Sequence, residues 1–123
     1  MPRLEDHLGA AQINRELAFD LTTQPRGISW APVVGFYAAL HLVDAFLASG
    51  GIHPATHVIR RAVMRESREL QILLEDYRTL EALSRESRYE LRRFSETDAR
   101  ELLDGELGRI SKAIHDLLDQ AGS

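Results

Sequence analysis

Hydrophobic residues recur every three or four positions along most of the chain, which is the spacing of one face of an α-helix. This pattern predicts a first helix over about residues 3–22. The most hydrophobic stretch, residues 29–49, predicts a second helix, with Ser29 as its N-cap and Pro32 in its first turn. The glycine pair 50–51 should end that helix. Because the second helix is apolar on most sides, we expect it at the centre of the fold.

Beyond the second helix, glycine and proline are absent from Ala55 to Asp104, which favours helix through this segment. The apolar positions nevertheless lose their phase across a charged stretch, so we predict a break near residues 65–68. Ser95 and Asp98 resemble a capping box, which predicts the start of the last helix. That helix carries an apolar stripe with alternating spacings of four and three: Leu103, Leu107, Ile110, Ile114 and Leu117. The stripe serves either the core of this chain or a partner helix.

The chain contains no alternating pattern of the kind that predicts strands, and no repeat or long linker. Its 123 residues are enough for one domain with a single core. The sequence therefore predicts one all-α domain over residues 1–123, an up-and-down bundle of four long helices plus a short one.

Composition narrows the setting and the chemistry. Cysteine is absent, which excludes disulfides, thiol catalysis and cysteine metal sites, and a cytoplasmic location is expected. The first ten residues contain acids and no apolar run, unlike a signal peptide. Residues 30–47 approach the length of a membrane span, but His41 and Asp44 would be costly in lipid. We therefore expect the core helix of a bundle and no membrane association.

Charge is unevenly distributed along the chain. The net charge of −4 opposes broad non-specific binding to nucleic acid. Residues 60–93, however, hold nine basic and seven acidic side chains, and all nine basic ones are arginine. The arginine fork suits bidentate contacts with carboxylate or phosphate. Because all but one of the basic residues in the chain are arginine, compositional bias explains this richness equally well.

Tyr37, His41 and Asp44 form a polar stripe on the otherwise apolar second helix. Their spacings of four and three put the three side chains on one face of that helix. Asp44 could fix the tautomer of His41, and Tyr37 could exchange a hydrogen bond with it. The stripe is either a core histidine satisfied by its neighbours or the lining of a cleft.

A second polar group is predicted where the third helix begins. Thr56 can cap that helix, and His57 and Arg60 lie one turn apart on its first turns, where free N–H groups also attract anions. His53 and His57 have a spacing that a metal could use, but Pro54 opposes placing both on one helix, and no further zinc signature is present. We therefore expect neither a metal nor another cofactor.

A third polar group lies on the fourth helix, where Arg85 and Arg88 are one turn apart and Tyr89 follows. If the third and fourth helices fold back across the second, these groups converge with the polar stripe on one pocket. The expected members of this pocket are His41, His57, Arg60 and Arg88, with Tyr37, Asp44, Arg85 and Tyr89 as further ligand-binding residues. A buried network with Asp44 as counter-ion would have the same contacts, so solvent access separates the two interpretations.

Segments of these helices resemble bacterial HEPN (higher eukaryotes and prokaryotes nucleotide-binding) domain proteins. The resemblance covers about residues 5–120 and is carried by four segments: Trp30-Ala31-x-Val33-x-x-x-Tyr37-Ala38-Ala39-Leu40-His41, Thr56-His57-x-x-Arg60, Tyr77-x-x-Leu80 and Ser84-Arg85-x-x-Arg88-Tyr89. It implies an all-helical fold. Many family members are dimeric, metal-independent ribonucleases with an arginine followed by four to six residues and a histidine. Others lack that motif and act as antitoxin-like, nucleotide-binding or scaffold modules.

The nuclease spacing occurs once in this chain, between Arg109 and His115, with five residues between them. Family members usually have a polar residue directly after the arginine, whereas Ile110 belongs to the apolar stripe. Arg109 and His115 both flank the solvated face of the last helix. We therefore regard them as the weaker catalytic candidates.

The sequence supports two functions of different classes. The first is a small HEPN-type module that dimerises and binds a protein partner, a nucleotide or RNA, within a toxin-antitoxin or defence system whose other component is encoded by a neighbouring gene. The second is a metal-independent endoribonuclease, which needs a base, an acid and a cation at the phosphate. His41, His57 and Arg60 would supply them. The apolar stripe of the last helix, together with the family resemblance, predicts a homodimer.

Overall fold

Helices account for 80% of the structure, a computed structural model that describes residues 1–89 and 93–122, and these residues contain no strand. The elements follow in this order: α1 (Leu4–Leu21), a 3₁₀ turn (Ile28–Trp30), α2 (Ala31–Ser49), α3 (His57–Glu66), a 3₁₀ turn (Gln71–Leu73), α4 (Leu74–Tyr89), α5 (Glu96–Leu102), a π-helical turn (Leu103–Leu107) and α6 (Gly108–Ala121). Since α5, the π-helical turn and α6 follow one another directly, they form one long helix. The prediction of an all-α bundle with four long helices and a short one is confirmed.

The second helix lies at the centre of the bundle, as its composition predicts. Thirteen of the nineteen residues of α2 are buried, and α2 packs against α1, α4 and α6. Gly35 permits a close approach, because a Cβ atom there would lie only 2.7 Å from a methyl carbon of Leu103. The segment Ile28–Ser49 is long and apolar enough to span a membrane, with a mean hydropathy of 1.6, but 72% of that window is buried in the bundle.

Side-chain caps define two of the predicted helix starts. The Thr56 hydroxyl accepts a hydrogen bond from the Ile59 amide at 3.1 Å, and the Ser95 hydroxyl accepts one from the Asp98 amide at 3.0 Å. The predicted break is also found, because α3 ends at Glu66.

The prediction that Ser29 caps the second helix is wrong. Ser29 lies inside the 3₁₀ turn, and the N-cap position of α2 is Trp30, whose amide donates to the Gly27 carbonyl at 2.9 Å. The 3₁₀ turn supplies hydrogen bonds that a side-chain cap would otherwise make. The Ser29 carbonyl instead accepts a hydrogen bond from the Ser87 hydroxyl, which joins the start of α2 to the end of α4.

The apolar stripe of the last helix serves the core of the chain. Leu103, Leu107, Ile110 and Ile114 are fully buried, and Leu117 packs against the same core. This placement leaves the stripe unable to receive a partner helix.

The short helix α3 has an unusual distribution of polarity. Its buried residues are Arg60 and Met64, whereas Val58 and Ile59 on its outer side are 67% and 47% exposed. Besides the packing of Met64 and Val63 against the core, the inner face of α3 is therefore held by a polar contact of Arg60. That contact lies at the candidate site.

Candidate functional site

Two histidines from different helices meet at the edge of the bundle. His7 of α1 and His41 of α2 have their Nδ1 atoms 3.1 Å apart and their ring centroids 5.4 Å apart. A hydrogen bond between two Nδ1 atoms requires one donor and one acceptor, so the pair holds a single proton between its facing nitrogens. His7 points inward because it lies on the same face of α1 as the buried Ala11 and Ala18.

Burial and charge keep His41 in its neutral form. Burial is the main cause that lowers the pKa of His41 below its usual 6.5, and the neighbouring His7 and Arg60 lower it further, while Asp44 opposes them. At neutral pH the His41 ring therefore carries an unprotonated nitrogen, which can accept a hydrogen bond or a proton.

One turn beyond His41, Asp44 forms a buried bidentate ion pair with Arg60 of α3. The Arg60 Nε and Nη2 atoms donate to the two Asp44 carboxylate oxygens at 2.8 and 3.0 Å. The side chains of Arg60 and Asp44 are only 8% and 10% exposed. Burial alone would lower the pKa of Arg60, but the hydrogen bonds and the charge of Asp44 more than offset it and raise that pKa. The pair therefore places two opposite charges, each satisfied, inside the protein.

His57 extends this arrangement to the surface. Its Nδ1 atom lies 3.3 Å from Arg60 Nη1. Arginine can only donate, so this His57 Nδ1 atom is the acceptor and the ring hydrogen is on Nε2. Because the residue is exposed, the Nε2–H group is available to a ligand.

Tyr77 of α4 closes the inner side of the cluster. Its ring packs edge-on against Phe36 with centroids 5.4 Å apart, and its hydroxyl is buried without a hydrogen-bond partner among the described residues. Burial raises the pKa of Tyr77 to about 12, although the charge of Arg60 acts in the opposite direction. Tyr77 is thus a neutral wall rather than a proton donor to the cleft.

A cavity of about 200 Å³ connects this cluster to the surface. The residues that line the cavity are Pro2, His7, Asp44, Ile52, His53 and Pro54. Pro2 and Ile52 are exposed, so the cavity opens to solvent, whereas His7 and Asp44 form its buried part. We call the cavity together with His41, His57 and Arg60 the histidine cleft. Solvent access is the property that favours a binding site over a sealed structural network.

Three sequence candidates lie away from the histidine cleft. The sequence predicts Arg88 over the polar stripe, with Arg85 and Tyr89 as further ligand-binding residues, but α4 runs antiparallel to α2. Tyr77 lies beside Arg60, and Arg88, eleven residues later, is about 16 Å further along the helix, near the start of α2. There Arg88 and Tyr89 are exposed, with the Arg88 guanidinium 5.0 Å from the centre of the Tyr89 ring. The prediction that Arg88 covers the polar stripe is therefore wrong, whereas ligand binding by Arg85 and Tyr89 stays a prediction.

Tyr37 is half-buried, and its ring lies 5.6 Å from the ring of Phe36, so it contributes to packing. On the last helix, Arg109 is an exposed residue that donates to both Asp76 carboxylate oxygens at 2.9 Å and to Glu106 at 3.3 Å. These contacts join α6 to α4. His115 is exposed on the same helix, so the Arg109 and His115 pair is far less enclosed than the histidine cleft.

Metal-ligating side chains do not form a complete set within residues 1–89 and 93–122, where no group of three or more has metal-binding geometry. His53 lies in the loop before α3, and His57 is the first residue of α3. The two histidines therefore do not share a regular helix.

Two residues at the site are not among the sequence candidates. His7 follows Leu4 by three positions and precedes Ala11 by four, so the helical spacing would have placed it on the inner face. The spacing of Tyr77 fits an apolar position, and nothing in that spacing reveals that its hydroxyl has no partner.

Comparisons of the chain with models of known protein families, with curated proteins and with solved structures gave no significant match. The resemblance to HEPN proteins thus rests on the sequence segments in α2, α3 and α4. Three residues of those segments, His41, His57 and Arg60, lie together at the histidine cleft.

Proposed function

We propose that this chain is a small HEPN-type helical module that binds a nucleotide or a segment of RNA in the histidine cleft. One observation carries the proposal: His7, His53 and Asp44 line one solvent-accessible cavity, and His41 and His57 join them through contacts with His7 and with Arg60, the partner of Asp44. These residues come from three helices and a loop, and the buried charged or imidazole side chains of the described residues, His7, Asp44 and Arg60, are all among them. Such an arrangement is costly unless the groups are paired or used.

The chemistry of the cleft suits one part of a nucleotide. Imidazole nitrogens of His53 and His57 can donate hydrogen bonds to phosphate oxygens, and the neutral His41 can accept one from a base or a ribose hydroxyl. The cavity, at about 200 Å³, is smaller than the roughly 300–1,000 Å³ of pockets that enclose whole ligands. A single phosphate or base therefore enters the cleft, and the rest of the ligand lies along the surface.

The state of Arg60 favours binding over catalysis. Its Nε and Nη2 atoms hold Asp44, and its Nη1 atom contacts His57. A cation that must stabilise a phosphorane has to direct its donors at the substrate. Since Arg60 directs an Nε and an Nη2 donor at Asp44 and an Nη1 donor at His57, we assign it a positioning role, in which it holds Asp44 and orients His57.

The alternative is a metal-independent endoribonuclease, and the neutral His41 supports it. In that reaction His41 would take the proton of a ribose 2′-hydroxyl, and the 2′-oxygen would attack phosphorus to form a 2′,3′-cyclic phosphate. The P–O5′ bond would break, and the leaving 5′-oxygen would take a proton from a second, protonated histidine. His57 is the candidate for this acid, in a state in which its Nδ1 atom is also protonated and no longer accepts from Arg60.

Binding and cleavage are tested with the same proteins. Anisotropy of a labelled RNA dodecamer, with AMP as competitor, should show affinity that falls about tenfold or more in His53→Ala, since each good hydrogen bond to a charged group contributes about 1.5–3 kcal/mol. His115→Ala is the matched control, because His115 is the one histidine outside the cleft, and it should bind normally. Equal binding by both variants, or no competition by AMP, would refute the cleft as the site.

Cleavage is followed on the same RNA in the presence of EDTA with wild type, His41→Ala, His57→Ala and His115→Ala. An uncut substrate in all four supports the binding module. Cutting that depends on His41 and His57 but not on His115 would establish the nuclease.

We also propose that the module acts in the cytoplasm as a homodimer and with a partner protein encoded by a neighbouring gene, as in toxin-antitoxin or defence systems. The exposed Val58 and Ile59 of α3 support association, because they offer apolar surface outside the core. Light scattering at micromolar concentration should give twice the 13.9 kDa mass of the chain, and a 13.9 kDa species at every concentration would reject the dimer.

A further inference from the structure

A groove with excess positive charge lies on the outer side of α3 and α4, separate from the histidine cleft. It has a volume of about 280 Å³ and is lined by Arg61, Arg78, Glu81, Ala82 and Arg85. Arg61 donates to Glu81 at 2.7 Å, which neutralises both side chains. Arg78 and Arg85 are exposed, and within the described part of the chain neither has an ion pair or a hydrogen bond from its side chain. The groove therefore carries two uncompensated positive charges in a protein whose net charge is −4.

The spacing of these residues aligns the charges with an aromatic ring. Arg78, Ala82, Arg85 and Tyr89 follow one another by four, three and four positions, so they share one face of α4. Arg85 lies about 10 Å beyond Arg78, and Tyr89 about 6 Å beyond Arg85. We call Arg78, Arg85 and Tyr89 the α4 strip.

The aromatic end of the α4 strip is open to a ligand. Tyr89 is 73% exposed, and Arg88 stacks its guanidinium on the Tyr89 ring with 5.0 Å to the ring centre. A planar cation on one side of the ring still leaves its other side free to stack with a base.

We propose that the α4 strip binds the backbone of a single-stranded nucleic acid, with Arg78 and Arg85 contacting separate phosphates and Tyr89 stacking on a base. An acidic peptide could also pair with the two arginines, but it would gain nothing specific from the exposed tyrosine. A track of cations that ends in an exposed aromatic ring combines the backbone contacts and the base stacking by which proteins hold single strands. This inference deepens the proposed function and rests on it only for the chemical class of the ligand.

The test measures how binding of a labelled single-stranded RNA dodecamer depends on salt. Each phosphate contact contributes about 0.7 to the slope of log K against log salt concentration for single strands, so Arg78→Ala/Arg85→Ala should reduce that slope by about 1.4. The matched control is Arg100→Ala/Lys112→Ala, which removes two exposed cations from the last helix. It should leave the slope within about 0.3 of wild type, and circular dichroism verifies that both double variants are folded.

Tyr89→Ala separates stacking from charge. Loss of one stacked base should weaken binding about fivefold or more, and the salt slope should stay unchanged. An unchanged slope in Arg78→Ala/Arg85→Ala, or unchanged affinity in Tyr89→Ala, would overturn the proposal. Full displacement of the RNA by an equal charge concentration of polyglutamate would overturn it as well, because an acidic protein segment would then be the better occupant.

AMP competition distinguishes this proposal from the cleft. If AMP does not bind but the variants of the α4 strip lose RNA affinity as described, the proposal for the histidine cleft is refuted and the proposal for the α4 strip is supported. If His53→Ala no longer binds AMP while the variants of the α4 strip bind RNA with wild-type affinity, the proposal for the α4 strip is refuted and the proposal for the histidine cleft is supported.

Discussion

Removing one partner of the Asp44–Arg60 ion pair should destabilise the fold more than removing both. Asp44→Asn leaves the Arg60 guanidinium buried, 8% exposed, with no opposite charge to compensate it. Breaking a buried pair in this way costs about 3–5 kcal/mol, a large part of the roughly 5–15 kcal/mol that stabilises a small domain. Arg60→Met leaves the Asp44 carboxylate unpaired and should have a similar effect.

The double variant Asp44→Asn/Arg60→Met removes both charges and should lie within about 1–2 kcal/mol of wild type, since replacement of a whole buried pair is often neutral. Urea unfolding followed by circular dichroism gives the free energies of unfolding. The same dependence of that free energy on urea concentration in all variants verifies that they can be compared as two-state proteins. For a chain of this size each kcal/mol lowers the Tm by about 3–5 °C, so each single variant should melt about 10–20 °C lower.

The exposed Arg109–Asp76 pair is the matched control, because it has the same bidentate geometry at the surface. A double-mutant cycle with Asp76→Asn and Arg109→Met should give a far smaller coupling free energy than the same cycle for the buried pair. Additive effects of Asp44→Asn and Arg60→Met, with no coupling beyond about 0.5 kcal/mol, would refute the reasoning that the two charges depend on each other.

Three further predictions concern single side chains. Tyr77→Phe removes a buried hydroxyl that lacks a hydrogen bond of good geometry among the described residues, and it should stabilise the fold by about 0.5–2 kcal/mol in urea unfolding. Because burial raises the pKa of Tyr77 to about 12, this tyrosine ionises in the unfolded chain before it ionises in the folded one. The free energy of unfolding of wild type should therefore fall by about 2–3 kcal/mol relative to that of Tyr77→Phe between pH 10 and 12. A difference between the two proteins that does not change with pH would contradict this. Because the pKa of His41 is lowered in the folded protein, His41 takes up a proton in the unfolded state first as the pH falls. The urea midpoint of wild type should therefore fall as the pH drops below about 6.5, and that of His41→Gln should fall less steeply. Phe36→Ala should cost about 3–5 kcal/mol by thermal or urea unfolding, since Phe36 is 2% exposed, and a loss below about 1 kcal/mol would contradict its place in the core.

The helices could be predicted because their signals are local. Periodic apolar residues, the glycine pair after α2 and the hydroxyl caps at Thr56 and Ser95 act within one or two turns of the chain. The prediction of a Ser29 cap failed because the preceding residues form a 3₁₀ turn, whose hydrogen bonds replace the cap. The role of the last apolar stripe stayed open in the sequence, since a heptad-like spacing fits a core and a partner helix equally.

The site could be predicted only in part, because its contacts join distant segments. The spacing of His41 and Asp44 identified the face of α2, and the first turn of α3 identified Arg60 and His57. Which residue lies opposite His41 depends on the packing of α1, and His7 is 34 positions away.

The position of Arg88 was predicted wrongly for a geometric reason. Arg88 lies on the helix that was expected to cover the polar stripe, but each residue along α4 advances about 1.5 Å, and the antiparallel course of α4 carries Arg88 toward the start of α2. A sequence indicates which helix a residue belongs to more readily than how far along its neighbour that residue lies.

The inverted polarity of α3 has a consequence for hydrogen exchange. Its buried residues are only Arg60 and Met64, so opening α3 breaks the ion pairs to Asp44 and Glu81 and the packing of Met64 and Val63, far less than the thirteen buried residues of α2. Amide protons of α3 should then exchange by this local opening, well before those of α2, which exchange only on global unfolding. Since α3 carries His57 and Arg60 into the histidine cleft, a ligand that binds there would slow its exchange. Screening nucleotides by the protection of α3 amides would therefore detect any ligand that occupies the cleft, whether or not the protein changes it chemically.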